Sequence, residues 1–197
     1  MIVIHNNKFC IFIFMILLIL ISCSNDNYSP KPRGYFRIEL PQKKYQLFDS
    51  LNYPYSFEYP VYAQVEPYRG VTAEKYWINL VFPKFKAEIH ISYKKVHNNL
   101  DTLLQDAETL ANKHIPKATN INYFKILDDK AKVYGLIYEI LGNDVASPYQ
   151  FYLTDSTSNY LRGSLYFNIT PNNDSLSPVI DFIKEDINYF IKTFRWR

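Results

Sequence analysis

Residues 86–116 read KAEIHISYKKVHNNLDTLLQDAETLANKHIP, and the spacing of the apolar residues changes once within this stretch. Residues 86–94 alternate between apolar and polar side chains, which is typical of a strand with one face toward a core. After Asn99 the apolar residues recur every three or four positions, as on one face of a helix, and Pro116 ends the pattern. The stretch therefore predicts a half-buried strand followed by a helix with Asn99 as its N-cap.

Six further segments resemble strands, because they are rich in aromatic and β-branched residues and are separated by Pro, Gly, Asn or Asp. They cover residues 55–65, 75–82, 120–127, 132–141, 149–154 and 159–170. Near the C-terminus, Ser177 is a plausible N-cap and Pro178 a plausible first residue of a second helix, whose apolar face continues to Phe194. The predicted order is β-β-β-α-β-β-β-β-α.

Short polar turns join most of these segments, and strands joined in this way pair most easily as antiparallel neighbours. Two helices separated by a run of strands indicate an α+β class. We therefore expect one α+β domain over residues 34–197, with a central, mostly antiparallel sheet of about six or seven strands and two packed helices. Periodicity leaves open whether the helices cover one face of the sheet or both.

The N-terminal region has the pattern of an exported protein. Residues 9–21 are uninterruptedly apolar, but a spanning helix needs about 20 such residues, so the run fits a signal peptide better. Leu20-Ile21-Ser22-Cys23 then resembles the bacterial lipobox, which predicts removal of residues 1–22 and lipidation of Cys23. The alternative is an ordinary cleavage site with a cysteine nearby by chance. Residues 23–33 contain two prolines and no apolar periodicity, and we expect them to form a tether.

Composition narrows the classes of partner and of site. The net charge is +3 and no basic run occurs, so nucleic acid is not an expected partner. Besides Cys23 the chain contains only Cys10, inside the predicted signal peptide, so no disulfide is expected in the mature chain. His90, His97 and His114 are scattered, so neither a metal site nor a cofactor is expected. Glycine-rich phosphate loops and a nucleophile elbow are missing from the sequence.

Two readings of the polar residues remain open. A carboxylate such as Glu139, with Asp144 or Asp155 in a neighbouring turn, could serve a hydrolase, whereas turn aspartates mostly bind their own backbone. A deep polar cleft in which Glu139, His90 and Arg162 converge would favour an enzyme or a ligand-binding protein. A flat aromatic patch would favour a protein that acts through contacts.

The segment 159–170 offers a candidate surface for such contacts. Its alternation assigns Leu161, Gly163, Leu165, Phe167 and Ile169 to the core, and the opposite face combines tyrosines with an arginine, as interface hot spots do. The alternative is that a helix covers this face. The predicted partner-binding surface consists of Tyr160, Arg162, Tyr166 and Asn168.

Several ordered blocks resemble the gliding motility lipoprotein GldD family of the Bacteroidetes. Besides the lipobox, they are KPRGYFRIELP (31–41), FEYPVYA (57–63), FPKFKAEIHISYK (82–94), NLDTLLQDAETLANKH (99–114), GLIYEILGN (135–143), YQFYLTDS (149–156), LRGSLYFNITPNNDSLSPVIDFIKEDI (161–187) and TFRWR (193–197). The resemblance covers nearly all of the mature chain and carries over one functional position, the lipidated Cys23. Where the family pattern has a cysteine before the tryptophan of the second strand, this chain has Tyr76-Trp77, which speaks against a thiol function.

The resemblance implies a lipid-anchored component of the gliding motility and type IX secretion machinery, with fatty acyl chains such as palmitate on Cys23. It implies no catalytic residues and no enzymatic activity. The expected partners are the membrane and other envelope proteins, in the periplasm, at the outer membrane or alternatively at the inner membrane. The alternative function is an envelope enzyme or a ligand-binding lipoprotein that acts on glycan or lipid.

Overall fold

Long antiparallel strands and two helices make up the fold of residues 38–197, which are the residues that the computed structural model describes. The strands are β1 (Tyr45–Phe48), β2 (Tyr55–Pro60), β3 (Gln64–Pro67), β4 (Ile78–Phe82), β5 (Ala87–Lys95), β6 (Asn120–Asp128), β7 (Val133–Leu141), β8 (Tyr149–Thr154), β9 (Asn159–Phe167) and β10 (Arg195–Trp196). The helices are α1 (Leu100–Asn112) and α2 (Asn173–Thr193).

Seven strands form one sheet in the order β3-β4-β5-β9-β8-β7-β6, and every neighbouring pair is antiparallel. The remaining strands form a small antiparallel sheet in the order β1-β2-β10. The α+β class, the single domain and the order of the main elements are thereby confirmed.

The two faces of the large sheet differ in polarity, and each face carries one helix. On the apolar face, Ile89 of β5 and Leu165 of β9 are register partners, and they share a buried core with Ile183 and Phe190 of α2. On the other face, α1 buries Leu103, Ala107 and Ala111. The helices therefore cover opposite faces, which periodicity had left open.

The first predicted strand, residues 55–65, is in fact two strands in different sheets. β2 ends at Pro60, Ala63 donates its N–H to Pro60 O at 2.9 Å in the turn that follows, and β3 begins at Gln64. The next strand begins at Ile78 rather than at residue 75, because Tyr76 has a φ of 71° that a strand does not accommodate. The strands β1 and β10 were not predicted.

The C-terminal helix begins earlier than predicted, and Ser177 is not its N-cap. Asn172 caps it, with its side chain accepting the N–H of Ser175, so Pro178 lies inside the helix. A further difference is that β9 ends at Phe167 instead of residue 170. By contrast, α1 begins after Asn99 as predicted, although Asn99 Oδ1 accepts the N–H of His97 rather than capping the helix.

The predictions for the signal peptide (residues 1–22), Cys23 and the tether (residues 23–33) lie outside the described residues. In residues 38–197 no helix has the length and apolar character needed to cross a membrane.

Candidate functional site

The polar face of the large sheet carries the candidate site, and α1 divides this face into two hollows. One side of the helix, with Leu103, Ala107 and Leu110, forms a wall of the first hollow. Another side, with Asp101, Leu104 and Glu108, forms a wall of the second. Because residues three and four apart share one side of a helix, each hollow has a continuous helical wall.

The first hollow, here called the arginine cavity, has a volume of about 270 Å³. Its residues come from the loop before β4, from the strands β4, β5 and β9, and from α1. They are Tyr68, Trp77, Asn79, His90, Ile91, Ser92, Lys94, Leu103, Asp106, Ala107, Leu110, Tyr160 and Arg162. The strand register places Asn79 beside His90, and Ser92 beside Arg162, so polar side chains form the floor.

Arg162 is a half-buried cation with a neutral hydrogen-bond partner. Its Nη2 donates to Gln150 Oε1 at 2.6 Å, and no carboxylate of residues 38–197 lies within ion-pair distance of its guanidinium. Burial lowers the pKa of Arg162, which the neighbouring tyrosines partly offset. A guanidinium keeps its charge in proteins, so Arg162 is a cation without an ion-pair partner among residues 38–197, although the acid Asp106 also lines the cavity.

Three buried polar atoms on this face of the sheet have no hydrogen-bond partner among residues 38–197: Asn79 Oδ1, Ser164 Oγ and Gln150 Nε2. The register places Asn79, His90, Ser164 and Gln150 side by side across β4, β5, β9 and β8. An unsatisfied buried polar atom costs about 1–3 kcal/mol, so such a row is unusual in a purely structural face. These atoms indicate a place where a ligand or ordered water completes the hydrogen bonding.

Aromatic side chains form the rim of the cavity on the side away from α1. The ring centroids of Tyr68 and Trp77 are 5.7 Å apart, and those of Tyr68 and His90 are 6.2 Å apart. Trp77 is held in place because its Nε1 donates to Tyr93 O at 2.8 Å. His90 lies 5.0 Å from the ring of Tyr166, and its Nε2 is 3.1 Å from Glu88 Oε1. The rim therefore presents rings of fixed orientation to the cavity.

Glu139 does not lie near His90 and Arg162, although the sequence had suggested that the three could converge. It is on the opposite face of the sheet, where it accepts hydrogen bonds from Lys184 of α2 and from Asn122. Burial alone would raise the pKa of Glu139, but these two partners hold it below its usual value. The geometry assigns Glu139 to an ion pair between sheet and helix.

The other two candidate acids are turn residues. Asp155 Oδ1 accepts the N–H groups of Thr157, Ser158 and Asn159. Burial alone would raise the pKa of Asp155, but the backbone N–H donors hold it at about 2. Asp144 accepts from the amide of the adjacent Asn143. In residues 38–197 no group of three or more His, Cys, Asp or Glu side chains is placed to hold a metal ion.

The predicted partner-binding surface on β9 is divided by α1. Tyr160 is buried, in a cluster with Val96 and with Leu103 of α1, so it is unavailable to a partner. Arg162 lies in the arginine cavity, Tyr166 is half-buried, and Asn168 is exposed just beyond the end of β9. The alternative that a helix covers this face therefore holds at Tyr160. Contact of a partner with Arg162, Tyr166 and Asn168 stays a prediction.

The second hollow, here called the tyrosine groove, is more open and lies between α1 and the edge strand β6. Its residues are Asp101, Leu104, Gln105, Glu108, Tyr123, Leu136, Tyr138 and Tyr152. Tyr123 is 53% exposed, and its ring packs edge-on against Tyr138 at 5.6 Å. The acids of this groove have no lysine or arginine beside them in its lining, so an aromatic floor adjoins a negatively charged wall.

Sequence reasoning identified His90 and Arg162 but missed Asn79, Gln150 and Ser164. These three residues are polar positions on the strands β4, β8 and β9, in which apolar and polar side chains alternate, and this alternation is the signal that predicts their common face. That signal becomes usable only when the strand order is known, because β4 is far from β8 and β9 in the sequence and joins the same row only through the pairing of β5 with β9.

Comparison with known protein families is decisive for the identity of the chain. The model of the family described as gliding motility lipoprotein GldD matches residues 25–196. The chain belongs to the gliding motility lipoprotein GldD family. The match includes every strand and helix described above, so the arginine cavity and the tyrosine groove are features of a GldD family member.

Two further comparisons complete the description of this GldD family member. A search of curated proteins finds no match. A solved structure with a similar arrangement is the solution structure of cyanobacterial PsbP (CyanoP) from Synechocystis sp. PCC 6803, with 11% sequence identity and a TM-score of 0.48. The alignment covers 82% of this chain and 98% of that one.

Proposed function

We propose that the protein is a lipid-anchored component of the gliding motility and type IX secretion machinery. It acts in the periplasm through contacts with other envelope proteins and catalyses no reaction. The family match carries the proposal, because a family described as a gliding motility lipoprotein matches residues 25–196. The outer membrane is the proposed location.

The anchor in this proposal is Cys23, which becomes the N-terminal residue after cleavage and carries palmitate or similar acyl chains. Each buried CH₂ group contributes about 0.8 kcal/mol, and one chain alone holds a protein only marginally. The two or three chains of a lipidated N-terminal cysteine are therefore sufficient for stable attachment.

The placement of the candidate catalytic residues supports a role without catalysis. Glu139 is separated from His90 and Arg162 by the sheet and is paired with Lys184. Asp155 is occupied by its own turn. A general acid and a general base must both reach one substrate, and neither Glu139 nor Asp155 lines the arginine cavity.

The tyrosine groove is the proposed contact surface, and its proposed occupant is an extended basic segment of another envelope protein. The acids Asp101 and Glu108 complement a basic segment in charge. Tyr123 lies on β6, a nine-residue strand at the edge of the sheet, and an edge strand offers its free backbone groups to an added strand. Tyrosines are frequent anchors of such interfaces.

The experiment is complementation of a strain that lacks the chromosomal copy. The variants His90→Gln and Glu139→Gln should restore gliding and secretion wherever they accumulate normally, whereas Cys23→Ala should lose fatty-acid labelling and membrane fractionation. Loss of gliding in His90→Gln, at normal abundance and unchanged melting temperature, would support an enzyme instead. Unchanged labelling of Cys23→Ala would exclude Cys23 as the anchor.

A further inference from the structure

The arginine cavity offers an anion one cation that forms no ion pair. Lys94 is paired with Glu74 at 2.6 Å, whereas the guanidinium of Arg162 has the neutral Gln150 as its hydrogen-bond partner among residues 38–197. The acid in the lining, Asp106, lies on an exposed position of α1. Arginine binds carboxylates through two parallel N–H groups, so a carboxylate is the anion that suits this guanidinium best.

Two acceptor groups in the lining of the cavity can take hydrogen bonds from a ligand. Asn79 Oδ1 is buried and has no donor among residues 38–197. The carboxylate of Asp106, at an exposed position of α1, also lines the cavity and can accept hydrogen bonds. A bare anion would satisfy Arg162 alone and an apolar lipid would satisfy none of these groups. The inventory therefore calls for a molecule with both hydroxyl donors and one carboxylate.

The size and the walls of the cavity restrict the ligand further. A volume of about 270 Å³ lies just below the range of about 300–1,000 Å³ that is typical of drug-sized ligands, so one ring fits better than a long chain. Asn79 and Arg162 lie two strands apart and two residues apart in register, which is about 12 Å at the usual spacings. The rings of Tyr68 and Trp77 offer apolar faces to the C–H groups of a saturated ring.

We propose that the arginine cavity binds one acidic sugar residue, a hydroxylated ring that carries a carboxylate. The carboxylate pairs with Arg162, the hydroxyl groups donate to Asn79 Oδ1 and Asp106, and the ring lies against Trp77 and Tyr68. This site is separate from the tyrosine groove and would add ligand recognition to a protein that otherwise acts through protein contacts.

The test is calorimetric titration of the full-length lipoprotein in detergent with glucuronate, glucose and acetate. Glucuronate should bind saturably, and glucose and acetate should each bind at least about tenfold more weakly, because each lacks one half of the required chemistry. Arg162→Gln should weaken glucuronate binding at least about tenfold and leave glucose binding unchanged. Arg195→Gln, at an exposed position of β10 outside the cavity, is the matched control and should bind as the native protein does.

A second variant keeps the test decisive if Arg162→Gln fails to fold. Tyr68→Ala removes one wall at a half-exposed position and should weaken both glucuronate and glucose. The proposal is overturned if the native protein shows no saturable binding of glucuronate, or if acetate binds as tightly as glucuronate. Unchanged glucuronate binding by a folded Arg162→Gln variant would overturn it as well. None of these binding measurements depends on gliding. Failure of the ligand proposal can therefore be distinguished from failure of the proposed role in the gliding and secretion machinery.

Discussion

Replacement of the buried Asp186 of α2 by alanine should destabilise the fold more than replacement of an exposed acid on the same helix. The carboxylate of Asp186 is only 1% exposed and accepts three hydrogen bonds from the segment before β2 and from the turn after it. Lys43 Nζ is 2.7 Å away, Tyr45 OH 3.0 Å and Tyr62 OH 2.7 Å. One side chain of α2 thereby fixes two separate parts of the chain.

The magnitude follows from what Asp186→Ala leaves behind. Hydrogen bonds to a charged group contribute about 1.5–3 kcal/mol each, and removal of one member of a buried ion pair costs about 3–5 kcal/mol. Lys43 is still 24% exposed and can regain water, which places the expected loss near the lower end, at about 3 kcal/mol. For a domain of this size that corresponds to a fall in melting temperature of about 10 °C.

The assay is thermal unfolding of the full-length lipoprotein, followed by circular dichroism. The control is Asp181→Ala on the same helix, because Asp181 is 63% exposed and its partners among residues 38–197 are Lys184 and Ser177. An exposed pair of this kind contributes at most about 1 kcal/mol. Equal and small shifts in the two variants would refute the reasoning that Asp186 joins the N-terminal segment to α2.

Three further changes test other parts of the structure by the same unfolding assay. Arg162→Glu should cost about 3 kcal/mol or more, because it places a carboxylate against Gln150 Oε1. Arg195→Glu should cost at most about 1 kcal/mol, because Arg195 is exposed and binds two carbonyls at the end of α2; equal effects would mean that Arg162 is not interior. Gly135→Ala should cost about 1–3 kcal/mol, since a Cβ would collide with the backbone oxygen of Tyr152, and a neutral result would contradict the close approach of β7 and β8. The pKa of Asp155 in the folded protein is about 2, below its usual 3.8. Its contribution to stability is therefore complete above about pH 4 and should be lost as the pH falls toward 2. The variant Asp155→Asn should lose this part of the dependence of stability on acid pH.

The strands and the first helix were predictable where one chemical pattern dominated. In β5 every second residue is apolar, and in α1 the apolar side recurs every three or four residues, so the sequence alone identifies the buried faces. Residues 55–65 were harder, because Pro60 and the residues after it resemble a continuing edge strand. The turn at Ala63 redirects the chain to another sheet, and only tertiary pairing shows this.

The start of α2 and the position of Glu139 depended on contacts that are distant in sequence. Ser177-Pro178 is a good local start signal, but Asn173 Nδ2 donates to Gly142 O and Val145 O and thereby draws the first turn toward the loop after β7. In β7, apolar residues point to both faces, so periodicity does not assign a side to Glu139. The grouping of His90 with Arg162 was foreseeable in part, because both lie on the polar faces of alternating strands.

The most direct test of the central claim is gliding and secretion by a strain whose only copy carries Tyr123→Lys in the tyrosine groove. Leu47→Lys is the matched control, since Leu47 is similarly exposed on a strand at the edge of the small sheet. The account predicts that Tyr123→Lys abolishes or severely reduces both activities at normal abundance and melting temperature, because it removes an aromatic anchor and its positive charge repels a basic segment, while Leu47→Lys retains them. Full gliding and secretion with Tyr123→Lys would contradict the claim that the protein works through contacts at this groove.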